Sequence, residues 1–279
     1  MRCQDIINHS SYPIDEPNSF RRSTLIEQVK AALAKDGCAV IPGFLSQDGL
    51  NSLLKEAKAR ADQAYYAPKK ECNVYLGDNN PDQPADHPQN IFLERSNGFI
   101  TADLYGSDTV SRHLYYWPPL KDFLRDCLGK NELHIYEDPV SNMIVNLGKP
   151  QQQFNWHFDT NEFTITMLLQ GAEQGGVFEY VPDLRTADNE CYAEVQSVLQ
   201  GDRSRVKQLE LNAGDLQLFL GRYSLHQVTP NTGTRDRLLL IMSFADQPGM
   251  VGSAYRVKDL YGKVTEAHNS RARGDTLLD

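Results

Sequence analysis

The sequence predicts a mainly β fold with flanking helices, an α+β chain whose second half is a sandwich or barrel of short strands. Three observations predict it. Beyond Leu133 the chain turns to short β-rich runs at 142–147, 157–169, 177–181, 209–211, 216–220 and 237–244, with turn residues such as Gly214-Asp215 between them. Ahead of that point it reads helix, strand, helix by the spacing of its apolar residues. Finally, 279 residues, 40% of them hydrophobic, can bury a sizeable core without disulfides or a structural metal, as one large domain or two ordinary ones at roughly 100–200 residues each.

In chain order, Ser23 is the N-cap candidate of a first helix that carries Leu25, Val29, Ala32 and Leu33 at helical spacing and stops at Lys35-Asp36-Gly37. Cys38–Ile41 is a short apolar strand closed by Pro42-Gly43, and Ser46 opens a second helix with Leu50, Leu53, Leu54 and Ala57 on one face. Residues 76–89, LGDNNPDQPADHPQ, have almost nothing to bury, and a polar loop of that length is either a lid or a surface connection. A helix around 120–128 precedes the strands, and a polar, helical insertion over 187–208 interrupts them. The expected organisation is a single domain, with helical and α/β support and the lid region over 1–130, the β core over 131–250 and a C-terminal extension over 251–279.

With 37 Asp+Glu against 28 Lys+Arg the formal net charge is −9, and no basic run exceeds the Arg21-Arg22 and Lys69-Lys70 pairs, which argues against nucleic acid or an anionic membrane as partner. Met1 to Asp5 lack the apolar stretch of a secretory signal and no apolar run reaches the about 18 residues of a membrane helix, so a cytoplasmic location is expected. The five cysteines, Cys3, Cys38, Cys72, Cys127 and Cys191, form no C-x-x-C pair and are expected to be reduced, mostly buried thiols. Any catalytic metal must then be held by histidine and carboxylate.

Within FNWHFDTNEF, His157 and Asp159 stand two apart in a run with strand character, so the pleat is expected to point both to one face. A third histidine, His226, follows the strand at 216–220. Two histidines and a carboxylate, two close and one distant, are what a facial triad needs: three ligands on one face of an octahedral metal, three positions open. These residue types favour Fe(II) over a closed zinc site. An H-x-D pair alone is a common accident, so context decides. After His226 comes NTGTRDRLLLIMSF, in which Arg237 begins an apolar strand and shares a face with Leu239, Ile241 and Ser243. A 2-oxo acid that chelates the metal by one end needs an arginine fork and a hydroxyl for its distal carboxylate. Arg237 and Ser243 fit that requirement, and Arg235 is the close competitor. His9, His87, His113, His134 and His268 have no strand partner at ligand spacing and receive no metal role.

His157, Asp159, His226 and Arg237 resemble the H-x-D, H, R signature of Fe(II)/2-oxoglutarate-dependent oxygenases, supported by GGVFEYVP and AGDLQLF, over 142–244. GCAVIPGFLS followed by a helix also resembles the region ahead of the core in phytanoyl-CoA-hydroxylase-like members. More narrowly, WHFDTNEFTITMLLQ with GGVFEYVPDLR is similar to the subgroup of hydroxylases and radical halogenases that act on free amino acids. In that subgroup's halogenases a small residue replaces the carboxylate of H-x-D and opens a site for chloride. Asp159 is present here, so the resemblance implies hydroxylation. It also implies a double-stranded β-helix (jelly roll, cupin-like) with Fe(II) at its open end, 2-oxoglutarate chelating the iron, O2 as oxidant, and succinate and carbon dioxide as coproducts. Thr166 and Asn146, polar residues in apolar runs, are expected to face the cosubstrate.

For a substrate the sequence offers Arg95 in FLERSNGFI, Glu137-Asp138 before the core, and the aromatics Trp156, Tyr223 and Tyr261. A zwitterionic amino acid needs a cation for its carboxylate and an acceptor for its ammonium, which Arg95 and one of the acids would supply. Residues 76–89 lead into Arg95 and are expected to close over the substrate. The expected activity is hydroxylation of an unactivated C–H bond of a free polar amino acid or similar small metabolite, by a monomer or homodimer. Two other readings stay open. One keeps the cofactor chemistry but ends in desaturation or ring closure, or acts on a carrier-bound or peptidyl substrate. The other is a metal-binding jelly roll that senses a small molecule without turnover, against which Asp159 and Arg237 both speak.

Overall fold

The computed structural model describes residues 2–268. Strands β1 (Cys38–Ile41), β2 (Tyr65–Tyr66) and β3 (Gly98–Ile100) come from the N-terminal part. The second half supplies β4 (Met143–Gly148), β5 (Phe154–His157), β6 (Thr164–Gln170), β7 (Phe178–Val181), β8 (Lys207–Leu209), β9 (Leu216–Phe219), β10 (Leu225–Val228) and β11 (Arg237–Met242). They form a seven-stranded sheet in the order β1-β9-β6-β11-β4-β3-β2 and a four-stranded sheet in the order β8-β7-β10-β5, with every pairing antiparallel. From β4 to β7, and again from β9 to β11, each strand crosses to the other sheet. That winding is the jelly roll expected of the core, and helices flank it.

Two-residue alternation gives the larger sheet two different faces. Ile165, Met167 and Leu169 of β6, with Leu238, Leu240 and Met242 of β11, are buried on one face. There they join a cluster with Ile26, Val29 and Leu33 of α1 (Phe20–Asp36), Leu53 and Ala57 of α2 (Gln47–Lys58), and Leu120, Phe123 and Leu124 of α3 (Pro118–Leu128). Each of these side chains larger than alanine contributes about 1.5–3 kcal/mol by leaving water. The opposite face, with Thr166, Leu239 and Ile241, turns toward the smaller sheet and lines a cavity. Outside the smaller sheet, α4 (Tyr192–Leu199) packs Val195 and Val198 on Trp156, Phe158 and Val181.

Several boundaries differ from the sequence reading, each for a tertiary reason. Helix α1 starts at Phe20 behind Ser19, a turn before Ser23, because Arg22 is buried there, donating from Nε to Ile14 O (2.9 Å) and pairing with Asp126 (2.7 Å). Its end is where Gly37 was expected to stop it, at φ +62° with the Gly37 N–H on Leu33 O. Ser46 caps α2, accepting from Gly49 N at 3.0 Å and donating to Asp5 O at 2.6 Å. The run 157–169 divides into β5 and β6, the run 237–244 ends as β11 at Met242, and the insertion at 187–208 holds α4 and the start of β8. The C-terminal extension contains α5 (Ala254–Tyr261), while its part 269–279 lies outside the described residues. All five cysteines are free thiols. No helix among the described residues is long and apolar enough to cross a membrane.

Ser46→Ala is expected to lower stability by about 1 kcal/mol in urea unfolding, the usual worth of a lost cap. Ser23→Ala, which removes only a bond to Phe20 O inside the first turn, should cost less than half of that. Equal losses would mean that Ser46 is not the cap that matters.

Candidate active site

Strands β5 and β10 pair with His157 opposite His226, so two imidazoles project side by side, ring centroids 4.1 Å apart. Asp159 reaches them differently from the sequence expectation. The strand ends at His157, and the chain then turns, with Phe158 N on Val74 O (2.9 Å) and Asp159 N on Gly221 O (3.1 Å). The carboxylate therefore arrives by a turn and not by the pleat. One ligating atom from each of His157, Asp159 and His226 lies within 4.8 Å of the others, and among the described residues this is the one such group.

Their remaining polar atoms are already engaged. His157 Nδ1 lies 2.7 Å from Asn155 O and His226 Nδ1 lies 3.0 Å from Ser224 O. A carbonyl can only accept, so Nδ1 carries the proton in each ring and the neutral form turns a lone pair on Nε2 inward. Burial, and then the charge of His226, push the His157 pKa well below the usual value and keep that ring neutral. For Asp159, burial opposes ionisation, but it is outweighed by the charge and hydrogen bonding of His226, by His157 and by Thr164, whose Oγ1 donates to Oδ2 at 2.7 Å. Its carboxyl is held below the ordinary range. Two imidazole nitrogens and one carboxylate oxygen, converging with room beside them, fit an octahedral divalent ion such as Fe(II) and fall one donor short of a closed zinc site. Gly221 makes the room: a Cβ there would stand 1.9 Å from Asp159 Oδ2.

A cavity of about 140 Å³ lies between the sheets at this group. Asn146 and Thr166 line it, as expected of residues facing a cosubstrate, and so does Gln217, which accepts from Thr166 Oγ1 at 2.9 Å. Asn146 Oδ1 accepts from Asn97 Nδ2 at 3.3 Å. Arg237, at the head of β11 opposite Gly148, ends a narrower crevice that shares Asn146, Phe154 and Val228 with the cavity. It is 5% exposed and has no hydrogen bond or ion pair among the described residues, and burial alone lowers its pKa to about 10. Gly176, at φ +62°, leaves it space, since a Cβ there would meet Arg237 Cδ at 3.1 Å. Arg235 instead points outward and donates to Gly171 O. Ser243 lines the cavity, but it stands at the far end of β11, roughly 20 Å from Arg237 at about 3.3 Å per residue. One carboxylate cannot use both; a shared face does not imply proximity.

Of the substrate candidates, Arg95, Glu137 and Trp156 lie outside the cavity. Arg95 is buried and pairs with Asp259 of α5 at 2.8 Å. Glu137 is exposed and accepts from Gly249 N. Trp156 alternates away from His157 into the cluster beneath α4. Asp138 is fully buried as an acceptor for the backbone N of Val140, Ser141 and Gly252, and Tyr223 lies in a separate crevice. Of the sequence's aromatic candidates Tyr261 does line the cavity, as part of α5, which covers it with Arg256, Val257 and Leu260. From 76–89 only Leu76, held at φ +54°, reaches the cavity. The rest folds on itself around Asn90 and rests on α4, with Gln196 Nε2 on Asp86 O at 2.8 Å. The cover expected of that loop comes from α5. Its signals were present: Ser253 as N-cap, Gly262 just past the end, and Val257, Leu260 and Tyr261 at helical spacing.

A family described as halogenase D matches residues 21–254. No curated relative matches the chain. Among solved structures, the chain is similar to the non-heme alpha ketoglutarate dependent carbocyclase SnoK from nogalamycin biosynthesis (TM-score 0.56, 14% identity, covering 78% of this chain and 82% of that one). It is also similar to the epimerase SnoN of the same biosynthesis (0.54, 16%, 80% and 84%). A third is a 2OG-Fe(II) oxygenase family oxidoreductase from Burkholderia pseudomallei (0.51, 14%, 80% and 91%). At these identities the likeness is one of fold.

Gly221→Ala is expected to weaken Fe(II) or Mn(II) binding in anaerobic titration by about 10- to 100-fold, by displacing the Asp159 carboxylate, with little change in melting temperature. Wild-type affinity in that variant would show that Asp159 is not held where the ion binds.

Proposed function

The chain belongs to the halogenase D family, and from that premise we propose that it hydroxylates an unactivated C–H bond of a free amino acid or similar small metabolite instead of halogenating it. Family, fold and the His-Asp-His group together make it a non-haem iron oxygenase with Fe(II) and 2-oxoglutarate as cofactors. The observation that carries hydroxylation is the Asp159 carboxylate, which converges with His157 and His226 on the position a halide would need.

When bound, the iron and 2-oxoglutarate supply O2 activation, with succinate and carbon dioxide released. The chain's own part is to hold and orient. His157, Asp159 and His226 would take one face of the ion and leave the other to ligands. Arg237 would receive the distal carboxylate of 2-oxoglutarate, because it is a buried cation whose counter-charge has to come from a ligand. Asn146, Thr166 and Gln217 offer polar contacts between the two ends. Phe154, Phe178 and Ile241 keep the walls apolar and water out.

A screen of free L-amino acids for stimulated O2 consumption and succinate release, with product masses, tests this reading. A gain of one oxygen supports it. A loss of two hydrogens points to desaturation or ring closure, and a chlorinated product in chloride buffer refutes it. His226→Ala should abolish succinate release with the fold intact. Arg237→Leu should raise the 2-oxoglutarate needed for half-saturation by about 30-fold or more, while the ligand-free protein melts no lower than wild type. Arg235→Leu should change that requirement little; the reverse pattern would assign the carboxylate to Arg235.

A further inference from the structure

Asn146 is the one polar side chain that the main cavity shares with the Arg237 crevice; the other two shared residues, Phe154 and Val228, are apolar. We propose that Asn97, which stands outside the main cavity, is a positioning residue for the cosubstrate: it holds the Asn146 amide so that the Nδ2 donor faces the 2-oxo acid. This rests on the oxygenase reading of the metal group and adds the hydrogen-bond polarity of the passage between that group and Arg237.

The backbone fixes the amide pair from both sides. Asn97 directly precedes β3, in which Phe99 pairs with Asn146 of β4, and its own N–H donates to Gln153 O (3.2 Å) just ahead of β5. Asn97 Nδ2 then donates to Asn146 Oδ1 at 3.3 Å, with both side chains buried. With its oxygen taken, the Asn146 amide has only its N–H groups to offer elsewhere, and Nδ2 has no partner among the described residues.

The arrangement carries a cost that a purely structural amide would avoid. Asn97 Oδ1 is enclosed without a hydrogen-bond partner among the described residues, and an unpaired buried carbonyl is destabilising. Turning the Asn97 amide alone would set oxygen against oxygen. Turning both amides would present the Asn146 oxygen to the passage and withdraw the donor. Asn97 also shares its crevice with Arg237, and a buried cation favours amide oxygens over N–H groups around it.

A 2-oxo diacid offers acceptors only, two carboxylates and a keto oxygen. Thr166 cannot serve them, because its one proton goes to Gln217 Oε1. A ligand that reaches both the metal group and Arg237 passes Asn146, and there it needs a donor.

The test reads anaerobic 2-oxoglutarate binding to the Fe(II)-loaded protein by charge-transfer absorption and by calorimetry, together with the melting temperature of the ligand-free protein. Asn97→Leu removes the donor and the unpaired oxygen together. It should melt no lower than wild type yet bind 2-oxoglutarate about 10-fold more weakly. Asn146→Ala should lose at least as much. Asn97→Leu added to Asn146→Ala should cost less than about twofold more, since Asn97 acts through Asn146, a coupling that a merely structural role would not produce. Wild-type 2-oxoglutarate affinity in Asn97→Leu, or losses that multiply in the double variant, overturns the proposal. If Asn97→Leu does not fold, NMR of the wild type decides: the Asn146 side-chain amide protons, assigned with Asn146→Ala, should shift when 2-oxoglutarate is added to the Zn(II)-loaded protein, and unmoved protons overturn the proposal. Wild-type protein that binds no 2-oxoglutarate by either method would overturn the oxygenase reading, and the role of Asn97 with it.

Discussion

Three ionisable side chains meet between two sheets where little water reaches, and the fold engages nearly every polar atom they have except the ones that converge on one another. Backbone carbonyls of residues two positions earlier take the Nδ1 protons of both histidines, and Thr164 takes one oxygen of Asp159. Without those bonds the rings could swivel or change tautomer, and the ligand set would have to be organised each time an ion arrived. With them the cost is met during folding. The pairing of His157 with His226 across β5 and β10 is therefore as much a structural constraint as a chemical one. The smaller sheet must hold its register, since a slip of one residue would turn a histidine of the group into the outer cluster where Trp156 lies.

The larger sheet satisfies a second demand with the same alternation. Its odd and even positions serve unlike solvents, a helix-covered apolar core on one side and a part-polar cavity on the other. In β11, Leu238, Leu240 and Met242 belong to the core while Leu239 and Ile241 belong to the cavity, and Arg237 heads the cavity face. That is why a strand so apolar in sequence can carry a buried cation at its end. Folding tolerates the isolated charge because the helical layer on the other face supplies the stability, and Gly176 yields the space.

How much of this was legible in the sequence follows from which features are local. Capping at Ser46, the stop at Gly37, the strand periods and the grouping of His157 and Asp159 with His226 all follow from residue type and spacing. What was not legible is long-range. Arg22 lengthens α1 because of Asp126, far along the chain. Ser243 shares a face with Arg237, but strand length separates them. Arg95 looked like a substrate contact because a buried-looking arginine beside a loop has no visible partner in sequence; Asp259 supplies one. The turn that brings Asp159 to the histidines depends on Gly221, whose lack of a side chain carries no meaning until the two segments are seen in contact.

The C-terminal segment ties these threads together. Helix α5 is held at three points by polar contacts: Arg95 grips Asp259, Arg256 donates to Thr160 next to Asp159, and beyond the helix His268 reaches the fully buried Asp138 at 3.0 Å. Asp138 in turn accepts the backbone N–H of Val140 and Ser141, just before β4, and of Gly252, just before α5. The cover of the cavity is thus anchored to the sheet below it and to the turn that carries Asp159. Arg95 thus bears on the cavity through position and not through touch: its ion pair with Asp259 sets α5, and α5 supplies part of the cavity wall. A helix secured in this way can define the shape and charge of the space beside the His157, Asp159 and His226 group, which a loop resting on α4 from outside cannot do.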